Sequence, residues 1–286
     1  MSTQWLAPAS LQEALELRTR YADEATVVAG GTFIGILLSQ RLIAPEAFLS
    51  LRGVRELSFI KTQNGPDEHA QQLCIGAMTT HRALERAALI HQDWPVLAYT
   101  FSLVASPRVR NQATVGGVLA DADYASDPPS LFTALDARAV ARSSDGAERE
   151  IAIEELITGY YETSLRPDEL LTEIRIPYAV EHSVYRKFRS RSTEDRPCVV
   201  VAAAQVRGKL RLVVGAVAER PQFFPDICAL ATGETLDRTL AVEIGRRYAE
   251  AIDPISDVRG SAAYRRRIIA VEVRRALEDL IPPKKG

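Results

Sequence analysis

The sequence predicts an α+β fold in two parts, a first part that mixes strands with helices and a last part in which strands precede helices. Three observations carry this. Short β-branched or apolar runs at 26–28, 73–77, 170–176, 198–206 and 210–217 read as strands. Two stretches near the end, 239–252 and 261–280, space their apolar residues as amphipathic helices do. A length of 286 residues, at ~100–200 per domain, suits two domains. The divide falls at 177–182, where Pro177 ends a strand.

Each element has a local reason. Residues 10–18 predict a short helix: Ser10 is the N-cap, Glu13 completes a capping box, and Leu11, Ala14 and Leu15 share a side. The strand 26–28 runs into the turn Ala29-Gly30-Gly31-Thr32, and a helix starts at 33–38. A second strand covers 46–51. The strand 73–77 ends in small residues, and Thr79-Thr80 opens a helix with Leu84 and Ala88 on one face. The apolar run 95–106 predicts a buried helix closed by Pro107, followed by a polar loop, 108–117, that holds a second Gly-Gly pair. Asp127-Pro128-Pro129 breaks the chain before a helical run at 130–136. Residues 138–153 alternate around Ser143-Ser144-Asp145-Gly146, a hairpin loop. Beyond the divide, 184–188, 198–206 and 210–217 are strands, with Arg207-Gly208 a tight turn between the last two. In the final helix Ser261 caps; Tyr264, Ile268, Val271 and Leu277 make the apolar stripe, with Arg265, Arg267, Arg274 and Glu278 outside it.

Composition removes several classes of function. A balance of 35 Lys+Arg against 37 Asp+Glu offers no global attraction to nucleic acid or to an anionic membrane. Cys74, Cys198 and Cys228 lie far apart and form neither a zinc set nor a disulfide framework. A [2Fe–2S] cluster takes about four protein ligands, so this chain does not house one in the usual way. Four histidines, His69, His81, His91 and His182, are too few for a multi-histidine metal centre. No basic-then-apolar leader opens the sequence and no run approaches ~18 apolar residues, so the expectation is a cytoplasmic protein without a membrane span.

The two Gly-Gly turns, Ala29-Gly30-Gly31-Thr32 and Thr114-Val115-Gly116-Gly117, bear the chemistry. Glycine permits positive φ and leaves no Cβ in a ligand's way. Successive N–H groups in such turns make anion-binding nests, and a helix N-terminus adds partial positive charge. Facing each other, the turns would hold a pyrophosphate without Lys or Arg; singly, each has the plainer reading of a chain reversal. Neither fits the Rossmann or P-loop pattern. In 185–191 basic and aromatic residues alternate, so that Tyr185, Lys187 and Arg189 share one face of a strand. Either Lys187 reaches a buried ligand or the strand is a solvated edge. Asp121, Asp123 and Asp127 cluster after the second turn but fit no EF-hand, which favours an acid bonding a ligand hydroxyl or ring N–H. His81 and His91 read as surface or interface residues rather than catalytic bases.

These strings occur in an order that resembles a known family: Val28-Ala29-Gly30-Gly31-Thr32, Ile75-Gly76-Ala77-Met78-Thr79-Thr80, the run 105–117, the run 169–177, Tyr185-Arg186-Lys187-Phe188, the run 231–236 and the run 254–265. The chain resembles the medium, FAD-binding subunit of the molybdenum hydroxylases, the family of xanthine dehydrogenase and aerobic carbon monoxide dehydrogenase. The resemblance implies a two-part FAD-binding domain of the vanillyl-alcohol-oxidase (PCMH) type at 1–177, with subdomains of about 1–55 and 56–177. A C-terminal sheet-plus-helices domain at 178–286 would follow. It implies that Ala29, Gly30, Gly31, Thr32, Phe33 and Ile34, with Thr114, Val115, Gly116, Gly117 and Val118, line the FAD pyrophosphate, and that Val28 also belongs to the cofactor site. It implies further that Val104 and Leu171 lie near the ring systems, and that Asp127 and Lys187 make polar contacts to FAD. The molybdenum cofactor and two [2Fe–2S] clusters are then expected on a large and a small partner subunit, in a dimer of heterotrimers. Electrons would pass from the clusters through FAD to an external acceptor. Three positions depart from the family: Phe33 where Asp is frequent, Val118 where Asn is usual, and Tyr124 where Pro is common, close to the expected flavin ring. Two alternatives remain, a self-contained flavin oxidase and a FAD-less binding or assembly module.

Overall fold

A computed structural model describes residues 3–65, 71–192, 196–232 and 236–281. His69 and the Gly233-Glu234-Thr235 part of the family strings lie outside the described residues. The chain opens with a small parallel sheet of β1 (Gln4–Leu6), β2 (Ala25–Val28) and β3 (Ala47–Ser50), with β3 in the centre. Helices α1 (Leu11–Tyr21) and α2 (Thr32–Ser39) connect the strands. The Ser10 cap forms, its Oγ accepting from Glu13 N at 3.2 Å, but the return bond of the expected capping box falls one residue earlier, Glu13 Oε2 accepting from Ala9 N at 2.8 Å rather than from Ser10 N. Ala14 and Leu15 bury against Leu49 and Leu51. Strand β1 has no counterpart in the sequence reading, because three residues pairing with a strand forty positions away carry no local pattern.

The next part is a five-stranded antiparallel sheet, ordered β4-β5-β10-β6-β7, of β4 (Ile60–Asn64), β5 (Gln71–Gly76), β6 (Arg138–Arg142), β7 (Glu148–Ala152) and β10 (Leu170–Pro177). Between β5 and β6 run six short helices: α3 (His81–Arg86), α4 (Ala88–Asp93), α5 (Pro95–Ser102), α6 (Pro107–Arg110), α7 (Val115–Ala120) and α8 (Pro128–Ala134). A turn of helix, α9 (Ile153–Leu156), and a small hairpin, β8 (Ile157–Gly159) with β9 (Glu162–Thr163), precede β10. Three expectations change here. The helix opened by Thr80 stops at Ala87, whose backbone is extended, so Leu84 and then Ile90 face the core while Ala88 is exposed. Pro107 starts α6 instead of merely closing α5, and the expected polar loop holds both α6 and the start of α7. Pro128-Pro129 likewise begins a helix, because proline has no N–H to lose in the first turn.

The last part is an antiparallel meander of β11 (Val180–Phe188), β12 (Val199–Val206), β13 (Lys209–Gly215) and β14 (Gln222–Phe223), followed by α10 (Pro225–Cys228), α11 (Arg238–Ala251) and α12 (Ala262–Leu280). Arg207 (φ 51°) and Gly208 (φ 71°) make the two-residue turn between β12 and β13 with the positive φ values such hairpins require. Strand β12 is buried on both faces. Val199, Val201 and Ala203 pack beneath α11 and α12, while Val200, Ala202 and Ala204 join the core of the five-stranded sheet. The α12 stripe differs from its expected phase. Arg265, Ile269, Glu272, Val273, Ala276, Leu277 and Leu280 are buried, and Tyr264, Ile268 and Val271 flank them. Arg265, fully buried rather than outside, bonds Ala216 O and Asp257, and Glu272 takes Arg186 at 2.9 Å. Charged residues enter a core when paired, and hydrophobic periodicity does not register them.

Candidate functional site

A cavity of about 1150 Å³ opens where the three parts meet. Its first wall is the turn between β2 and α2. Gly31 sits at φ 72° as the N-cap of α2, a backbone state that costs an L-residue ~1–2 kcal/mol. Gly30 touches the loop before α7 so closely that a Cβ there would lie 2.1 Å from Gln112 O. Among the described residues, none accepts a hydrogen bond from the N–H groups of Gly30, Gly31, Thr32, Phe33 or Ile34. Five successive donors at a helix N-terminus are therefore left for a ligand.

The second turn is built differently. Thr114 caps α7, its Oγ1 accepting from Gly117 N at 3.1 Å. Val115 N donates to Thr79 O at 2.9 Å and Gly116 N to Ala77 O at 2.8 Å. These N–H groups serve the chain itself, so the expected pair of facing nests becomes one open nest braced by a closed turn. Gly116 is required because a Cβ would meet Ala77 Cβ at 2.6 Å. His81, expected as a surface or interface residue, is 1% exposed and lies in the wall. Its ring stands edge-on to Phe101, and its Nε2 is 3.2 Å from Thr114 O. Burial holds its pKa down to about 4, which keeps the imidazole neutral.

The third wall joins the first residues of α8 to β11. Asp127 stands at the N-cap of α8 yet caps nothing: its own backbone is helical (φ −73°, ψ −50°) rather than extended as at a capping residue, and Pro129 at N2 has no N–H to bond. Its carboxylate turns instead to β11. Tyr185 OH donates to Oδ1 at 2.5 Å, and Lys187 Nζ donates to Oδ2 at 2.8 Å and to Leu103 O at 3.0 Å. Strand alternation sets this up: Tyr185 and Lys187 point to the cavity side, while Arg186 points to Glu272 and Asp279 of α12. Burial pushes the Tyr185 phenol well above its ordinary pKa, and the Asp127 charge adds to it. Burial lowers the Lys187 pKa, with Asp127 opposing.

The fourth wall is acidic and aromatic. Asp123 accepts from Ala125 N at 3.0 Å and pairs with Arg196. Burial, and then the Asp123 charge, push the Asp121 carboxyl up to about 7. Phe33 stacks on Tyr161 with 5.7 Å between centroids and 10° between planes.

Of the residues expected at the site, Ala29, Gly30, Gly31, Thr32, Phe33, Ile34, Val104, Thr114, Gly116, Gly117, Val118, Asp127, Leu171 and Lys187 line this one cavity. Val28 and Val115 do not, since both side chains are buried in the cores behind it. Tyr124 is also absent from the lining; its hydroxyl donates to Asp257 Oδ2 at 3.1 Å and its ring lies under Arg259. Tyr161 and Arg196 are wall residues that the sequence reading missed. The Tyr160-Tyr161 pair, two aromatics in a turn between short strands, was a usable signal for the first; Arg196 has none. Among the described residues no group of three or more His, Cys, Asp or Glu is placed to hold a metal, and no helix is long and apolar enough to cross a membrane.

Comparison with known proteins agrees with this geometry. Residues 1–179 match the family described as FAD binding domain in molybdopterin dehydrogenase, and residues 183–280 match the CO dehydrogenase flavoprotein C-terminal domain. The carbon monoxide dehydrogenase medium chain of Afipia carboxidovorans is 32% identical, over 95% of this chain and 94% of that one. The 6-hydroxypseudooxynicotine dehydrogenase complex subunit alpha of Paenarthrobacter nicotinovorans is 31% identical, over 94% and 90%. Among solved structures, quinoline 2-oxidoreductase from Pseudomonas putida 86 superposes with a TM-score of 0.88 at 29% identity, covering 98% of this chain and 97% of that one. The chain belongs to the FAD-binding family of the molybdopterin dehydrogenases. Within that family it is a FAD-binding medium subunit of the molybdenum hydroxylase type, an oxidoreductase component. The residues present suit the cofactor: an open run of backbone donors for its pyrophosphate, and a cavity slightly larger than the ~300–1,000 Å³ common for small ligands, as a dinucleotide needs.

Proposed function

We propose that this chain is the electron relay of a three-subunit hydroxylase. It takes electrons from two [2Fe–2S] clusters of a small partner and passes them to an external acceptor, while a large partner carries the molybdenum cofactor and the substrate. The assembly is a dimer of heterotrimers in the cytoplasm. The observation that carries this reading is the run of five unengaged N–H groups at Gly30 to Ile34, in a chain with too few cysteines for a cluster of its own. FAD, when bound, supplies a group that accepts and releases electrons singly or in pairs. The protein's part is to hold it. Gly30 to Ile34 bind pyrophosphate; Thr114, Gly116 and Gly117 brace that turn from behind; Val104, Val118 and Leu171 exclude water; Asp127 and Lys187 set the local charge. Division of labour follows the chain, with FAD held by 1–177 (subdomains 1–55 and 56–177) and covered by 178–286. Lys187 and Arg196 are contributions of the second part.

The test is purification with and without partners. The expected result is a flavin spectrum from this chain and co-purification with iron and molybdenum. Substrate added to the complex should then bleach that spectrum in the absence of an acceptor. A chain that binds FAD and oxidises an organic substrate alone would overturn the reading.

A further inference from the structure

We propose that Tyr185 is a positioning residue that holds Asp127, and through it fixes the Lys187 ammonium in the cavity wall, so that this chain presents a cation rather than a carboxylate to bound FAD. The proposal rests on the FAD-bearing role above and adds a residue to it. Tyr185 is 4% exposed, and its hydroxyl sits 2.5 Å from Asp127 Oδ1. Asp127 is itself 4% exposed and has a donor on each oxygen. An ammonium has three protons to give. Lys187 directs two of them to Asp127 Oδ2 and Leu103 O, and no other described residue accepts the third. Lys187 lines the cavity.

The arrangement has a reason. An isolated buried carboxylate and ammonium would neutralise each other by sharing a proton or would collapse into a contact with little field outside it. The Tyr185 hydroxyl takes up part of the Asp127 charge, which leaves the lysine a net positive source toward the cavity. A positive source stabilises the reduced, more negative form of a flavin over the oxidised one. Removing the hydroxyl returns the full Asp127 charge to Lys187 and weakens that source.

A double-mutant cycle on the full FAD-loaded chain tests this, with Tyr185→Phe, Lys187→Met and the pair, reading the FAD midpoint potential, FAD affinity and melting temperature. Tyr185→Phe should lower the midpoint potential and weaken FAD several-fold. Lys187→Met should lower the potential further, and in its background the effect of Tyr185→Phe should largely vanish. Asp127→Asn, which keeps the lysine and removes its counter-charge, should move the potential the other way. The proposal is overturned if Tyr185→Phe leaves the potential unchanged while lowering only the melting temperature, as a packing role would. It is equally overturned if its effect is the same with and without Lys187. Failure of the relay role would instead show as wild-type FAD that the partner subunits do not reduce.

Discussion

Gly30→Ala is the sharpest perturbation of the cavity. The added Cβ would sit 2.1 Å from Gln112 O, 2.7 Å from Gln112 C and 3.0 Å from Ala113 Cα. All three are backbone atoms, so no side chain can swing away. Ordinary contact begins near 3.4 Å, and the two turns must therefore part by about 1.3 Å. Overpacking of this kind costs up to ~3 kcal/mol. At roughly 2–4 °C per kcal/mol for a chain of this size, melting should fall by as much as about 6–12 °C. Cofactor binding should suffer more. The displaced turn carries the open donors, and losing two hydrogen bonds to a charged group, at ~1.5 kcal/mol or more each, weakens binding roughly 100-fold. Fluorescence titration of FAD and thermal melts of the same preparations measure both effects. Gly35→Ala is the control. It lies in α2, the helix this turn leads into, with nothing within 4 Å of the new Cβ, and should stabilise by ~0.8–1 kcal/mol without touching FAD. A Gly30→Ala chain that melts normally and binds FAD as tightly as wild type would refute the assignment of this turn.

Asp257→Ala strands the fully buried Arg265, and removing one partner of a buried pair costs ~3–5 kcal/mol, a melting loss on the order of 10 °C. Asp253→Ala, in an exposed pair with Arg266, should leave melting unchanged. Two buried groups should oppose each other in acid. Between about pH 4 and 6.5 the unfolded chain takes a proton that burial denies to His81, so this group makes stability rise with pH. Between 3.8 and about 7 the folded chain keeps a proton on Asp121 that the unfolded chain releases, so that group makes stability fall with pH. Urea titrations of Asp121→Asn should therefore show a rising profile over pH 4 to 6.5, and those of His81→Gln a falling one. Finally, Cys74, Cys198 and Cys228 are all buried, and burial pushes the Cys74 thiol up to about 12 and raises the other two. A thiol-specific disulfide reagent should titrate none of them until denaturant is added.

Features fixed by neighbours in the chain were legible in the sequence: the Ser10 cap, the Arg207-Gly208 turn and the hairpin at 143–146. So was the shared face of Tyr185 and Lys187, which period-2 alternation dictates. What distant pairing decides was not. Arg265 looked like a solvent-facing charge until Asp257 and Ala216 arrived to satisfy it, and the α12 stripe was misphased in consequence. The two Gly-Gly turns look alike as strings. Only the tertiary fold shows that Thr79 and Ala77 consume the N–H groups of one and leave the other open. Proline at 107 and 128 reads equally as a stop or a start, and the choice lies with what the following turn packs against.

The two-sided burial of β12 bears on how such subunits can be cut and recombined. One face of that strand completes the core of the five-stranded sheet, and the strand beside it, β11, delivers Lys187 to the cavity and Tyr185 to Asp127 in its wall. A chimera that exchanged everything after Pro177 for a foreign C-terminal half would have to match the underside of the new meander to an old core. It would also have to supply a lysine in the same register. The seam between the two family domains is thus a poor crossover point, and grafts that keep β10 to β13 together should preserve cofactor retention where cuts at the seam lose it.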